Sequence, residues 1–366
     1  MKVSSKKRPA VPVSGGKVSG DKVRVGVIGL GMGRAHLAGY KACPECEIVA
    51  LCDLDEERLN ARGDEFGVAR RFASYEEMLA MDDLDAVSVA LPNFLHDVVT
   101  RAAFAAGKHV LCEKPMAMTV AGAESMVRAA AEAERKLMMH FNFRFTPQAQ
   151  LLKKYVDAGE LGEIYFARTG WHRRRGMPGM GGWFCRRSLS GGGPLIDLGV
   201  HRLDLALWLM GNPEPVEVMG STYAKFGPEI ARQRGVEYSV EDLACGIVRL
   251  ANGSTIIVEA SWACNTDKSE EMFTVLYGDK GGAEQRNVGE GYDMGLRIFR
   301  PQHGVMEDVT PKGIPPVDEN PQAHFVSCIL RDMEPMATGH HGVQVQKILN
   351  GLYRSAETGS AVRLVD

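Results

Sequence analysis

The chain has no apolar run approaching the roughly 18 residues that a membrane-crossing helix needs, which sets a membrane-spanning reading aside. It has no strong charge of either sign. A formal net charge of −3 over 366 residues offers no basic footprint for nucleic acid. Residues 1–21 are polar and basic (Lys2, Lys6, Lys7, Arg8, Lys17) and lack the apolar middle of a secretion signal, so they read as a disordered basic tail. No His-Glu-x-x-His and no clustered Cys/His pattern occurs, so no catalytic metal is expected. Most of the 8 cysteines, such as Cys52, Cys112 and Cys245, fall in apolar runs, which suits reduced thiols. Cys43-Pro44-Glu45-Cys46 stands alone, without a second pair. These absences point to a cytoplasmic protein without internal repeats.

What is present is an ordinary globular composition, 45% apolar and 24% charged, at a length that suits two domains. Through the first half, short β-branched runs alternate with helical spacing. Strands are expected at 23–28, 48–52, 86–91, 109–112 and 137–141, with helices at 34–41, 56–66, 75–81, 96–106 and 119–135. Such alternation predicts an α/β domain over 22–145, a doubly wound parallel Rossmann sheet. After Pro147 the rhythm changes to one helix and several strands, with Asn252-Gly253 as a hairpin signal. A second, α+β domain over 146–340 with a large open, mostly antiparallel sheet follows. A closing helix is expected at 343–357, within a segment 341–366.

Gly29-Leu30-Gly31-Met32-Gly33-Arg34 lies between the first strand and first helix, where glycines let backbone approach a pyrophosphate. Its third glycine comes one position early for G-x-G-x-x-G, with Arg34 in its place. Asp53 ends the second strand. A carboxylate there accepts from ribose hydroxyls and repels a 2′-phosphate, favouring NAD over NADP. Asp53 also reads as a helix start, and Arg34 or Arg58 could admit a phosphate. Leu91-Pro92-Asn93-Phe94-Leu95-His96 follows a further strand, at the sheet edge where ligands bind.

Cys112-Glu113-Lys114-Pro115 ends an apolar run, which places an ammonium beside whatever the glycine turn binds. In Gly191-Gly192-Gly193-Pro194-Leu195-Ile196-Asp197-Leu198-Gly199-Val200-His201, Asp197 and His201 are four apart in an expected helix over 197–210 and share a face. Asn142 and Arg144 follow the last strand of the first domain, within reach of nicotinamide or substrate. A loop over 171–193 carries Trp171, Arg173, Arg174, Arg175, Trp183, Phe184, Arg186 and Arg187. Aromatic faces stack on sugar rings and guanidiniums grip hydroxyls, although the arginines could equally form a solvated or subunit-contact surface.

Together the E-K-P and G-G-G-x-x-x-D-x-G-x-H segments resemble the Gfo/Idh/MocA family of nicotinamide-dependent sugar and cyclitol oxidoreductases, over nearly the whole chain from Lys22. The resemblance implies an NAD(P)-dependent dehydrogenase acting on a secondary hydroxyl. It implies Lys114, Asp197 and His201 as catalytic set, with His201 as base, Lys114 polarising the oxygen, and Asp197 anchoring substrate and orienting His201. It implies a cofactor site at Gly29, Gly31, Met32, Gly33, Arg34, Asp53, Leu91, Pro92, Asn93, His96, Glu113 and Lys114. Substrate contacts are expected from Asn142, Arg144, Trp171, Arg173 and Trp183, with a Lys–Pro bond that is often cis. It also implies a closing helix packed on the first domain and a homodimer or homotetramer formed through the second sheet. Two alternatives stay open: a glycosidase that holds NAD tightly and oxidises its substrate transiently, and a non-catalytic NAD-binding regulator.

Overall fold

A computed structural model describes residues 22–365; the basic tail assigned to 1–21 lies outside them. The first half runs β1 (Val23–Ile28), α1 (Gly33–Lys41), β2 (Cys46–Cys52), α2 (Glu56–Phe66), β3 (Arg71–Phe72), α3 (Tyr75–Leu79), β4 (Ala86–Val89), α4 (His96–Ala105), β5 (His109–Cys112), α5 (Val120–Glu132) and β6 (Leu137–Met139). The strands lie parallel in the order β3-β2-β1-β4-β5-β6, so the winding reverses between β1 and β4, and ligands of such sheets bind at that crevice. Val23, Val25, Val27 and Ile28 are all buried, because helices cover both faces of the sheet; this is why β1 is a continuous apolar run.

The second half runs α6 (Pro147–Asp157), β7 (Ile164–Arg173), α7 (Arg187–Ser190), α8 (Val200–Leu209), β8 (Pro215–Tyr223), α9 (Gly227–Arg234), β9 (Leu243–Leu250), β10 (Thr255–Ser261), β11 (Glu270–Gly278), β12 (Gly282–Asn287), β13 (Met294–Gln302), β14 (Val305–Val309), α10 (Pro321–Leu330), α11 (Gly339–Thr358) and β15 (Val362–Arg363). One sheet takes all nine strands in the order β14-β13-β12-β11-β7-β10-β9-β8-β15. Only β7 and β10 pair in parallel; the other neighbours are antiparallel. Helix α8 is apolar nearly all round, with Leu203, Leu205, Leu207 and Leu209 buried. Such a helix belongs inside a protein, and α8 lies on β7, β10 and β11.

Several expectations are corrected. Trp171 and Arg173 lie on β7, not in a loop, because β10 and β11 pair with that stretch on both sides. The helix expected from Asp197 begins as a π-helical turn, Leu195–Gly199, and becomes α-helical only at Val200. Helix α10, inside the stretch given to the second domain, packs on α1, β1 and β5 of the first. The closing helix starts earlier, at Gly339, where Thr338 and His341 form a capping box. It touches α5 and β6 of the first domain and also β8 and α8 of the second, so it joins the two.

Candidate active site

The glycine turn is built from unlike glycines. Gly29 ends β1 with φ of 86°, and a Cβ there would sit 2.4 Å from Ala90 O, so only glycine lets β1 and β4 close at this point. A Cβ at Gly33 would meet Val27 at 2.7 Å, which holds α1 against the strand. Gly31 between them faces open space, with nothing within 4 Å of its Cβ position. The first amides of α1 have no side-chain cap. An open backbone cradle at an uncapped helix start is what a pyrophosphate requires, so the residues present fit a dinucleotide.

Asp53 braces this turn. Its Oδ2 accepts from Leu30 N–H at 2.7 Å, and Arg58 reaches both oxygens at 2.8 and 2.9 Å. Burial alone would raise its pKa, yet Arg58 and the amides of Asp55 and Leu30 hold the carboxyl below its ordinary value. Met32 and Leu91 line the cleft, as does Asn93, whose Nδ2 donates to Ser190 O at 2.7 Å and so ties the cofactor edge to the second domain. Arg34 turns away to Glu65. His96 is buried between Leu91 O and Pro115 O, at 2.8 and 2.7 Å. It clamps the loop after β4 to the loop after β5.

Beyond the turn lies a cavity of about 440 Å³ whose wall includes Glu113, Lys114, Asn142, Trp171, Arg173, Trp183, Asp197 and His201. Two domains meet there. Lys114 leaves the end of β5 ahead of a cis Lys114–Pro115 bond, and its Nζ reaches Asp197 O at 2.9 Å and Asp197 Oδ1 at 3.1 Å. Trp262 Nε1 donates to Asp197 Oδ2 at 3.0 Å. Among the described residues no hydrogen bond joins Asp197 to His201, which corrects the expectation that it orients His201; its carboxylate is turned to Lys114 and Trp262. His201 is held by rings instead, edge-on to Phe143 at 5.2 Å and tilted to Trp171 at 5.8 Å. Its Nδ1 is enclosed and unpartnered among the described residues, which leaves Nε2 as the nitrogen open to the cavity. Burial first, and the Lys114 charge second, hold this imidazole well below its usual pKa.

Arg144 is not part of the wall. It is wholly buried and grips Asp204 at 2.6 and 3.0 Å, which corrects its reading as a substrate residue. Sequence reasoning missed Trp262, Glu270, Tyr292 and His140. Glu270 Oε1 accepts from both Trp171 Nε1 and Arg173 Nε, at 2.7 and 2.8 Å, and Tyr292 lies edge-on to Trp171 at 5.7 Å. None carried a motif; they reach the site through sheet register or a connecting turn. A second cavity of about 420 Å³, between Phe145, Leu151, Ile314 and His324, holds none of these groups.

Comparison with known proteins agrees with this geometry. Residues 23–141 match the model of the oxidoreductase family with an NAD-binding Rossmann fold, and residues 149–284 match the GFO/IDH/MocA C-terminal domain. The chain belongs to the GFO/IDH/MocA family. It is therefore an NAD-dependent oxidoreductase, as the two motifs led us to expect. It is 32% identical to a D-glucoside 3-dehydrogenase of Escherichia coli (strain K12), over 93% of this chain and 97% of that one. It is also 32% identical to a 1,5-anhydro-D-fructose reductase of Ensifer adhaerens, over 93% and 98%. Among solved structures, an aldose-aldose oxidoreductase from Caulobacter crescentus, complexed with glycerol, superposes with a TM-score of 0.80 at 28% identity, covering 93% of this chain and 99% of that one. A levoglucosan dehydrogenase solved with NADH shares the fold, at a TM-score of 0.82 and 24% identity, covering 94% of this chain and 100% of that one.

Proposed function

We propose that the cavity oxidises a secondary hydroxyl of a neutral sugar, glycoside or cyclitol, with His201 Nε2 as proton acceptor and Lys114 Nζ as the donor that holds the substrate oxygen. The observation that carries this reading is the 3.1 Å contact of Lys114 Nζ with Asp197 Oδ1, on a wall shared with His201. An ammonium has three N–H groups. Asp197 takes two through its main-chain and side-chain oxygens, which leaves one aimed at negative charge building on the substrate. The depressed pKa of His201 keeps its imidazole neutral near pH 7, ready for the hydroxyl proton. Bound NAD would supply the hydride acceptor for the carbon that bears the hydroxyl, so that the alcohol would leave as a ketone. Asp53, which braces the glycine turn through Leu30 N–H, would be the residue to meet a ribose hydroxyl.

Charge on the wall favours a neutral substrate. Lys114 is matched by Asp197, Arg173 by Glu270, and the remaining charge, Glu113, is negative. Among the described residues each cation of the wall therefore already has a carboxylate partner. Trp171, Trp183, Phe184 and Tyr292 supply faces for the C–H side of a sugar ring, and the names of the two 32% identical relatives agree. A panel of glycosides, inositols, sugar acids and sugar phosphates, assayed for NADH absorbance, tests this. Neutral substrates should lead in kcat/KM by about tenfold or more; a phosphorylated sugar as best substrate would contradict it.

Two further proposals concern setting. The reduced, mostly buried thiols suit a cytoplasmic address. Among the described residues no helix is long and apolar enough to cross a membrane. Met219, Ile247 and Ile257 form a cross-strand row on the outer face of the second sheet, with Met219 and Ile247 exposed. An open apolar sheet face suits a second copy, so light scattering should give a dimer or tetramer, and a monomer would count against it.

A further inference from the structure

We propose that Glu113 is a fixed, buried anion that makes the cofactor cleft favour the cationic, oxidised nicotinamide over the neutral, reduced one. The residue directly follows β5 and is 6% exposed, and it shares the cavity wall with Met32, Ala90, Leu91 and Lys114. It therefore stands between the glycine turn and the reacting groups. Its Oε1 is 3.0 Å from His36 Nε2 and 2.8 Å from His140 Nδ1, and its Oε2 is 3.1 Å from Lys114 N–H.

The donors around it fix where the protons lie. Gln322 Nε2 is 3.0 Å from His140 Nε2. An amide nitrogen can only donate, so that ring nitrogen is bare and His140 donates to Glu113 through Nδ1. On the other side, Tyr40 OH lies 2.8 Å from Ser88 Oγ, which lies 2.9 Å from His36 Nδ1. Tyr40 gives to Ser88, Ser88 to His36, and His36 to Glu113. Every donor in the network points at one carboxylate, and His36 and His140 each face its Oε1. Burial would push this carboxyl up, but His140 and His36 together hold it well below its ordinary range.

No Lys or Arg among the described residues pairs with Glu113, because Lys114 Nζ is turned to Asp197. The three ligand-type atoms of His36, Glu113 and His140 lie within 4.8 Å of one another, but all three are spent on these hydrogen bonds. The network thus stabilises a negative charge without cancelling it. Hydride transfer changes the charge of the pyridine ring by one unit, and an anion on the wall of a partly desolvated cleft would distinguish the two forms by on the order of tenfold in affinity.

The test measures dissociation constants of NAD+ and NADH by calorimetry, without sugar, for the wild type and Glu113→Gln. The ratio Kd(NADH)/Kd(NAD+) should fall on the order of tenfold in Glu113→Gln and stay near the wild-type value in Glu113→Asp, which keeps the charge. A role in packing alone would weaken both forms equally and leave the ratio unmoved. Should Glu113→Gln not fold, the wild type itself answers with a dinucleotide whose pyridinium is replaced by a neutral benzamide ring. NAD+ should bind on the order of tenfold tighter than that isostere. A ratio unchanged within about twofold in Glu113→Gln, or equal affinity of the wild type for NAD+ and the isostere, would overturn the proposal.

Discussion

Lys114 Nζ and Asp197 Oδ1 stand 3.1 Å apart although 83 residues separate them in the chain, and their contact joins a strand end of one domain to a π-helical turn of the other. The ammonium brings one N–H to the substrate only while Asp197 holds the rest. Lys114→Met should therefore lower kcat by about 10² to 10³, the usual effect of removing one donor from a developing oxyanion. Asp197→Asn should cost less, because its main-chain oxygen still accepts from Lys114 at 2.9 Å. Steady-state kinetics with a neutral glycoside separates the two; equal losses would contradict this division of roles.

Stability should decline as the solution is acidified below about pH 6.5. Burial lowers the pKa of His36, His96 and His201, and it brings His109 and His341 down to about 4. Between the unfolded value and these folded values the unfolded chain binds more protons, so stability rises with pH and is lost as pH falls. Each such group contributes at most about 1.4 kcal/mol per pH unit. Thermal midpoints should drop steadily from pH 6.5 towards 4, and a flat profile would refute the assignment.

Much of this was legible from local pattern. The β-branched run ending at Gly29 and the acid ending β2 announce a nucleotide fold, since both signals come from contiguous residues. Lys114 and His201 were singled out the same way, and both line one cavity. The misreadings have another origin. Arg144 has the chemistry of a ligand residue, but Asp204 claims it, and a partner distant in sequence leaves no local trace. Trp262 lies in an apolar stretch that any core could hold; only the register of β10 against β7 brings it to Asp197. β12, with the sequence Gly-Ala-Glu-Gln-Arg-Asn, has little strand propensity and is held in place by β11 and β13.

The Arg144–Asp204 pair is buried on both sides, at 0% and 1% exposure. Arg144→Met should cost about 3–5 kcal/mol of stability, because it strands a carboxylate away from water. Adding Asp204→Leu should recover much of that loss. Urea unfolding of the single and double variants checks both statements, and an additive double variant would contradict them.

Cofactor choice should turn on Asp53. Its carboxylate neutralises Arg58 at 2.8 Å. Asp53→Ser removes the acid and frees Nε and Nη2 of a half-exposed guanidinium, still held by Asp55 at 3.2 Å, for a 2′-phosphate. The preference for NAD over NADP in kcat/KM should fall by about 10- to 100-fold. An unchanged preference would place the ribose end of the cofactor elsewhere.

The role of His201 as proton acceptor is tested most directly by the pH dependence of kcat/KM for glycoside oxidation by the wild type and His201→Asn. The wild type should keep its activity to well below pH 6.5, because burial and Lys114 depress the imidazole. His201→Asn should be slower by about 10² to 10⁴ and should lose that acidic limb. A variant that produces NADH at the wild-type rate with the same pH profile would show that the proton leaves by another route.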